Sequence, residues 1–548
     1  MRRPDRASVE QVGAWALGVL GAAGVAGQIA WAGRIGGDDA PHLLGVELRL
    51  GQLVRSGEWG HAASAWWALL APQPPFGAVL GTATTVLVGS WPLSAALAMG
   101  ITLLLVFDAL QRLSLALTEG RLGGIVAWLA LVASPFTWSS VEQYSRDLSV
   151  GAAVLQAVSH VAVRGALGRR RGAMAFGAWM GLAFGMKYTA PIFLMGPCLV
   201  VGVGLVLDTV WRRDRSGWAG LGVALLSFVA TAGVWYGAHL GEVRRYLFTS
   251  LDATAMQGNA ASLRDVDSLA ARVYYPAALW EAMSGPGVVL LAVALGLGLW
   301  RPKSRFGAAL VAVGLGAGMV VLARTSQQVD RYLFPGFVLA CAALVPLGRG
   351  WVMPVVAAAV FGPQLVASAQ RYAPGRVGPA SNYDHGAEVF RSPQWPQPAA
   401  SFGPSDFQPA DWNIPAAVAA VLAVQGPDGT VGFLPASDPN SPTFGHLMLP
   451  AARLGARWDW ATVSLRGGPG GGGVFIGPLF DGDWPPRGFR TLLALERVPA
   501  DPQVRGWLSS HAVVEQSRVP MRGLGAWVVY TASGMENPPA PQMPGGQR

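Results

Sequence analysis

Lysine is nearly absent from this chain: Lys187 and Lys303 are the only two, and arginine supplies the rest of its positive charge. Any task that needs an ammonium group therefore has two candidates. Charge of either sign is scarce, at 13% of 548 residues, whereas 52% are hydrophobic and mean hydropathy is +0.38, which excludes an ordinary soluble globular protein. Cysteine is scarcer still. Cys198 and Cys341 both fall in apolar runs, where they read as small core residues rather than a disulfide, and no redox role follows. The seven histidines are scattered without ligand spacing, so the sequence implies no metal and no cofactor. The net charge of +9 comes as short clusters between hydrophobic spans, not as a stripe on one domain, which points to membrane topology and away from nucleic acid.

What the chain does have is long apolar runs. After a polar start bearing Arg2, Arg3 and Arg6, a segment from about 12 to 32 is long enough to cross a bilayer core at ~1.5 Å per residue. A cleaved signal peptide competes with this reading, because Ala30-Trp31-Ala32 resembles a cleavage site, but the apolar stretch is longer than a signal core and favours a retained anchor. Further spans fall at about 92–117, 122–140, 148–167, 172–187, 189–210, 217–240, 285–300, 305–323, 331–348 and 350–370, about eleven in all. The apolar run Phe76–Gly89 is short, and charge decides its fate. If it does not cross, Arg164 and Arg169–Arg171, Arg212, Arg213 and Arg215, and Arg301, Lys303 and Arg305 share one side with the N-terminal arginines, which the positive-inside rule places in the cytoplasm.

That topology gathers a chemically varied set on the other face: Asp38 and Asp39, Glu142 to Asp147, Lys187-Tyr188, a loop 241–284, and Asp330-Arg331-Tyr332. Charges at span ends are expected anyway, since one at the bilayer centre costs about 2.5–3.5 kcal/mol. Asp108 lies well inside a span with Arg112 one turn later, and an internal ion pair accounts for both. Behind Asp38-Asp39, Leu43, Leu44, Val46, Leu48, Leu50 and Leu53 mix with Glu47, Arg49, Gln52 and Arg55, a pattern that suits an amphipathic helix on the bilayer surface. The stretch then reaches Pro72-Gln73-Pro74-Pro75-Phe76.

An acidic pair, a surface helix and a Pro-Pro lead into the next apolar run together resemble the first extracytoplasmic loop of the GT-C glycosyltransferases. The nearest likeness is the protein mannosyltransferase and lipid A aminoarabinose transferase family (glycosyltransferase family 39), whose pattern there reads roughly Asp-Glu, then Tyr, then Pro-Pro. Here Asp39 replaces the Glu, His42 stands near the Tyr, and Gln73 takes the place of a Lys before the prolines. The resemblance implies a multi-span α-helical membrane enzyme that moves one sugar from a polyprenyl-phosphate donor to an acceptor hydroxyl at the outer face of a bacterial inner membrane. It also implies site residues. Asp38 matches the catalytic aspartate and Asp39 the adjacent Glu; Asp147, with Glu142, matches a second acidic site that would orient an acceptor. Gly185-Met186-Lys187-Tyr188-Thr189 resembles a Thr-Lys-Gly turn, and Asp330-Arg331-Tyr332-Leu333-Phe334-Pro335 an Arg-Tyr-x-x-Pro lead into a late span, which makes Lys187, Arg331 and Arg146 the cations for the donor phosphate. Asp38-Asp39 is not the Asp-x-Asp of the metal-dependent oligosaccharyltransferases.

Bland readings stand beside each of these. Asp38-Asp39 also suits a helix N-cap, Ser145 to Asp147 a cap with Arg146 facing water, Lys187 a snorkelling residue, and Arg331-Tyr332 an interfacial anchor. Loop 241–284, with Arg244, Arg245, Arg264, Arg272, Tyr246, Tyr274, Tyr275 and Trp280, suits a flexible lid.

The chain divides into a membrane domain at 1–371, a Pro- and Ser-rich linker at 372–411, a small α/β domain at 412–534 and a disordered tail at 535–548. In the α/β domain, Trp412–Gln425 and Thr443–Leu454 read as helices, and Thr430–Leu434, Val474–Ile476, Thr491–Leu495 and Ala526–Tyr530 as strands. An odd span count places it outside. Arg466–Gly473 lacks a following Gly-Lys-Ser/Thr and reads as a loop, not a phosphate cradle. Two other functions compete: a transporter or polymer-exporting channel, which predicts polar mid-span residues and paired broken helices, and a glycan polymerase or ligase on a similar scaffold.

Overall fold

The computed structural model describes residues 6–32, 39–67, 74–89, 92–142, 144–251, 269–324, 330–372, 413–426, 428–434, 457–466, 473–478, 491–495, 513–521 and 525–532. Residues 373–412, which hold nearly all of the expected linker, the segments 252–268, 435–456 and 467–472, and residues 533–548 lie outside the described residues. The helices run α1 Arg6–Ala32, α2 Asp39–Arg55, α3 Trp59–Trp67, α4 Val79–Val88, α5 Leu93–Thr118, α6 Leu122–Ala133, α7 Pro135–Glu142, α8 Arg146–Val161, α9 Arg170–Met186, α10 Ala190–Trp211, α11 Ser216–Phe228, α12 Val234–Leu251, α13 Leu269–Trp300, α14 Pro302–Leu322, α15 Phe334–Ala342, α16 Val352–Arg371 and α17 Ile414–Gln425. They divide into two compact units, one of Met1–Gly36, Ala71–Leu80 and Pro92–Asp406, the other of Gly37–Leu70, Gly81–Trp91 and Phe407–Arg548.

The first unit is a helical membrane bundle. Seven described helices are long and apolar enough to span, and an eighth span forms if α6 and α7, bent by 63° at Ser134, count as one. The protein is therefore a multi-pass membrane protein. A helix stands at each of the eleven positions expected, but several are short. The Pro75–Val88 stretch is too short for a span, and α8, at 16 residues, extends only about 24 Å. It carries Arg146, Asp147, Gln156 and His160 and is buried along nearly its whole length, so its polar groups are sheltered by neighbouring helices and not by water.

Close packing rests on aromatic rings and small residues. Trp15 of α1 meets Phe107 of α5 edge-on at 5.3 Å, and Phe107 meets Trp128 of α6 at 5.3 Å, which builds α1 into the bundle. Gly177 lets α9 touch α11; a Cβ there would lie 2.6 Å from the Ala224 carbonyl carbon. Within the membrane, Arg112 pairs with Asp108 as expected and also binds Gln156 Oε1 at 2.6 Å and the His160 ring. Cys198 and Cys341 are free thiols. Trp211, Trp300 and Trp351 are strongly exposed, and each stands beside or near a basic residue, Arg212, Arg301 and Arg349, as in the aromatic belt of a membrane interface.

Two expectations are corrected. Residues 241–284 do not form a long loop: α12 continues to Leu251 and α13 starts at Leu269, and Tyr274 and Tyr275 are core residues at 1% and 0% exposure. Pro276 lies inside α13, whose break comes later, at Ser284. The amphipathic segment does form a helix, α2, but Leu43, Leu44, Val46, Glu47, Leu48 and Leu50 are all buried, so it lies inside protein instead of on a bilayer. Within the second unit Gly51 permits a close approach to Thr85 of α4; a Cβ at Gly51 would sit 2.7 Å from Thr85 Cβ.

The rest of the second unit is an α/β layer. Strands β1 Asp428–Leu434, β2 Arg457–Arg466, β3 Gly473–Pro478, β4 Thr491–Leu495, β5 Val513–Met521 and β6 Gly525–Ala532 form one sheet in the order β3-β2-β1-β4-β6-β5. β1 pairs in parallel with β2 and β4, and the outer pairs are antiparallel. α17 packs Ala417, Val418 and Val421 onto a core of Val431, Leu492–Ala494 and Trp527–Val529. The expected helix Thr443–Leu454 lies outside the described residues.

Candidate active site

α7 is buried from end to end and delivers the chain to a sharp turn. Tyr144 takes a left-handed conformation, φ 47°, and Ser145 caps α8, its hydroxyl accepting from Asp147 N at 3.2 Å and donating to Asp147 Oδ2 at 3.3 Å. This cap buries three ionisable groups in quick succession: Glu142, Arg146 and Asp147, at 3%, 8% and 1% exposure. Arg146 therefore does not face water.

A buried carboxylate needs a partner. Asp147 finds it in Lys187, which ends α9 in extended backbone and places Nζ 2.6 Å from Asp147 Oδ2. The same ammonium lies 4.8 Å from the centre of the Tyr332 ring, a cation–π contact. Asp147 Oδ1 is buried and has no hydrogen-bond partner among the described residues. One oxygen of the carboxylate is thus fixed and the other is left to accept a proton donor.

The Pro-Pro segment closes one side. Pro75–Ala78 makes a tight helical turn with Pro75 and Ala78 buried. Gly77 lies against Arg146, where a Cβ would come 2.8 Å from Nε, and Gly185 lies against the Phe76 ring, where a Cβ would come 2.7 Å from Cε2. Both glycines are required by close approach. Behind Lys187, Tyr188 meets Tyr236 edge-on at 6.3 Å, and Tyr236 donates to Phe184 O at 2.8 Å, tying α12 to the end of α9.

The structure thus joins Pro74-Pro75, Glu142, Arg146, Asp147, Lys187 and Tyr332, drawn from four separate parts of the sequence. Asp38 and Gln73 lie outside the described residues. Asp39 opens α2 in the other unit, and Arg331 belongs to a single turn, Asp330–Leu333; neither side chain lies within the description. Sequence reading gives no role to Gly77 or Tyr236, whereas it reads Ser145 as part of a helix cap, and Ser145 is the N-cap of α8. Only Ser145 leaves a local signal, a serine two residues before an aspartate at a helix start.

No protein-family model and no curated protein matches the chain. Solved structures do. ArnT from Cupriavidus metallidurans bound to undecaprenyl phosphate superposes with a TM-score of 0.56 at 13% identity, over 97% of this chain and 99% of that one. The same protein in the apo state gives 0.50 at 15% identity, over 91% and 94%. The fold is that of the GT-C membrane glycosyltransferases. The apo Archaeoglobus fulgidus oligosaccharyltransferase aligns more loosely, with a TM-score of 0.47 at 12% identity, over 80% of this chain and 63% of that one.

Proposed function

We propose that this GT-C chain transfers a single hexosyl or pentosyl group from a polyprenyl-phosphate donor to the hydroxyl of a lipid, glycan or protein. Lys187, Arg146 and Arg331 bind the donor phosphate, Asp38 is the general base with Asp39 beside it, and Asp147 and Glu142 form the second acidic site toward the acceptor. The acceptor O–H gives its proton to Asp38 as its oxygen bonds to the sugar's C1. The C1–O bond to phosphate breaks in line on the opposite side, with inversion, and the polyprenyl phosphate departs with the electron pair, its charge met by the cations. The enzyme sits in a bacterial inner membrane, with site and C-terminal α/β domain outside.

The observation that carries this reading is the partly buried Lys187 ammonium held between Asp147 and the Tyr332 ring at a helix end. A snorkelling lysine would extend to water, whereas this one is only 21% exposed and is aimed at a buried carboxylate. The polar mid-span pair Asp108–Arg112, which a transport pathway would use, is hydrogen-bonded to Gln156 and His160. Mass spectrometry of glycans and polyprenyl-phosphate sugars, in cells with and without the gene, tests the proposal. A polyprenyl-phosphate sugar should accumulate in its absence while one glycan loses a residue; unchanged profiles of both would contradict it.

A further inference from the structure

Two helical stretches of the bundle are broken. α6 and α7 bend by 63° at Ser134, and α13 breaks at Ser284, which has φ 63° and ψ 161°, a region essentially reserved for glycine. Breaks of this kind free backbone groups that lipid cannot satisfy, so neighbouring side chains must do so. Here the two breaks satisfy each other. Ser134 Oγ donates to Ala282 O at 2.7 Å, across 148 residues of sequence, and Gln364 Nε2 of α16 approaches the same carbonyl at 3.4 Å. Ser368, one turn further along α16, donates to Ala133 O at 2.8 Å, and Trp138 Nε1 donates to Val132 O at 2.8 Å.

Ser134 also accepts from Phe136 N at 3.2 Å, which starts α7. From this one hydroxyl, two routes lead to the two sides of the Lys187 pair. Along α7 the chain reaches Glu142, the Tyr144 turn and Asp147. Through Ala282 α13 is held, and α13 packs on the turn Asp330–Leu333 that carries Tyr332. Phe136 closes the circuit, lying 5.0 Å from Phe334 and 5.5 Å from Phe337, just beyond Tyr332. Ser134 is 1% exposed and about two α7 turns from the site, so it touches no substrate.

We infer that Ser134, assisted by Gln364, is a positioning residue that clamps the two broken helices together and thereby holds Asp147 and Tyr332 on either side of Lys187. The inference rests on the proposed role of Lys187 in binding a lipid phosphate, and its test separates the two. Amide hydrogen exchange on the purified full chain in lipid nanodiscs reads the positions directly. Ser134→Ala should speed exchange in both 144–150 and 330–337. Thr102→Val removes a buried hydroxyl that only donates to Ala98 O within α5, at 2.9 Å, and should speed neither. Ser134→Thr keeps the donor and should match the parent, so a misfolded alanine variant would not end the test. Binding of undecaprenyl phosphate supplies the second readout: Ser134→Ala should weaken it roughly tenfold, the scale of one lost buried hydrogen bond, with Thr restoring it. Ser134→Ala and Gln364→Met should be non-additive, since both donors serve one carbonyl. Faster exchange confined to 133–137, or threonine and alanine variants that behave alike, would overturn the inference. Lys187→Met with unchanged lipid binding would instead refute the phosphate role and leave the exchange result to decide the clamp.

Discussion

Lys187 Nζ and Asp147 Oδ2 lie 2.6 Å apart, the lysine one-fifth exposed and the aspartate buried. Removing either partner of such a pair leaves a charge with a heavy desolvation cost, about 3–5 kcal/mol for a buried pair. Lys187→Met should therefore lower both Tm and the affinity for undecaprenyl phosphate. The double variant Lys187→Met with Asp147→Asn should recover most of the Tm and none of the affinity. Thermal melts and lipid-binding titrations of the three proteins separate the structural role of the pair from its ligand-binding one, and a double variant that binds like the parent would remove Lys187 from the site. Lys187→Arg should retain part of the binding, since a planar guanidinium does not reproduce a compact point charge.

Ser284 should be improvable. Its φ of 63° and ψ of 161° cost of order 1–3 kcal/mol in a residue with a Cβ, and its buried hydroxyl has no hydrogen-bond partner among the described residues. Ser284→Gly relieves both at a backbone-entropy cost of about 0.5–1 kcal/mol, so the variant should melt at or above the parent temperature with lipid binding intact. A clear fall in Tm would mean that the break depends on the serine side chain.

Orientation can be read with reporter fusions. Fusions after residues 170, 260 and 420 should report cytoplasm, outside and outside. The basis is the proposed placement of Arg169–Arg171, Arg212–Arg215 and Arg301–Arg305 on one face, which the exposed Trp211 and Trp300 at the same chain positions favour. A cytoplasmic reporter at 420 would invert the proposed arrangement.

The helices, and the motifs that meet at Lys187, were legible because apolar runs of some twenty residues have few alternatives and because lysine is so rare here. The Lys187–Asp147 contact itself was not, since no local pattern says which carboxylate forty residues upstream an ammonium will meet. The misread loop 241–284 shows the opposite failure. Its arginines and tyrosines looked solvent-facing, yet tertiary packing takes Tyr274 and Tyr275 fully into the core and tolerates Pro276 within a helix. In the sheet, β2 and β5 passed unnoticed because both carry charges: Asp459 interrupts one, and the edge strand β5 exposes Glu515 and Arg518, which pair at 3.0 Å. The polar α8 likewise weakens its own hydropathy signal with the residues that build the site.

Asp38 is the residue proposed to activate a hydroxyl for attack on a polyprenyl-phosphate sugar. Asp38→Asn keeps shape and hydrogen bonding but cannot take the proton, so sugar transfer in membranes supplied with the lipid donor should fall by roughly 10²–10⁴-fold at matched protein level. Asp39→Asn, at the neighbouring position, should fall much less. Equal and near-normal turnover in the two variants would contradict the account and move the search for the base to Asp147 and Glu142.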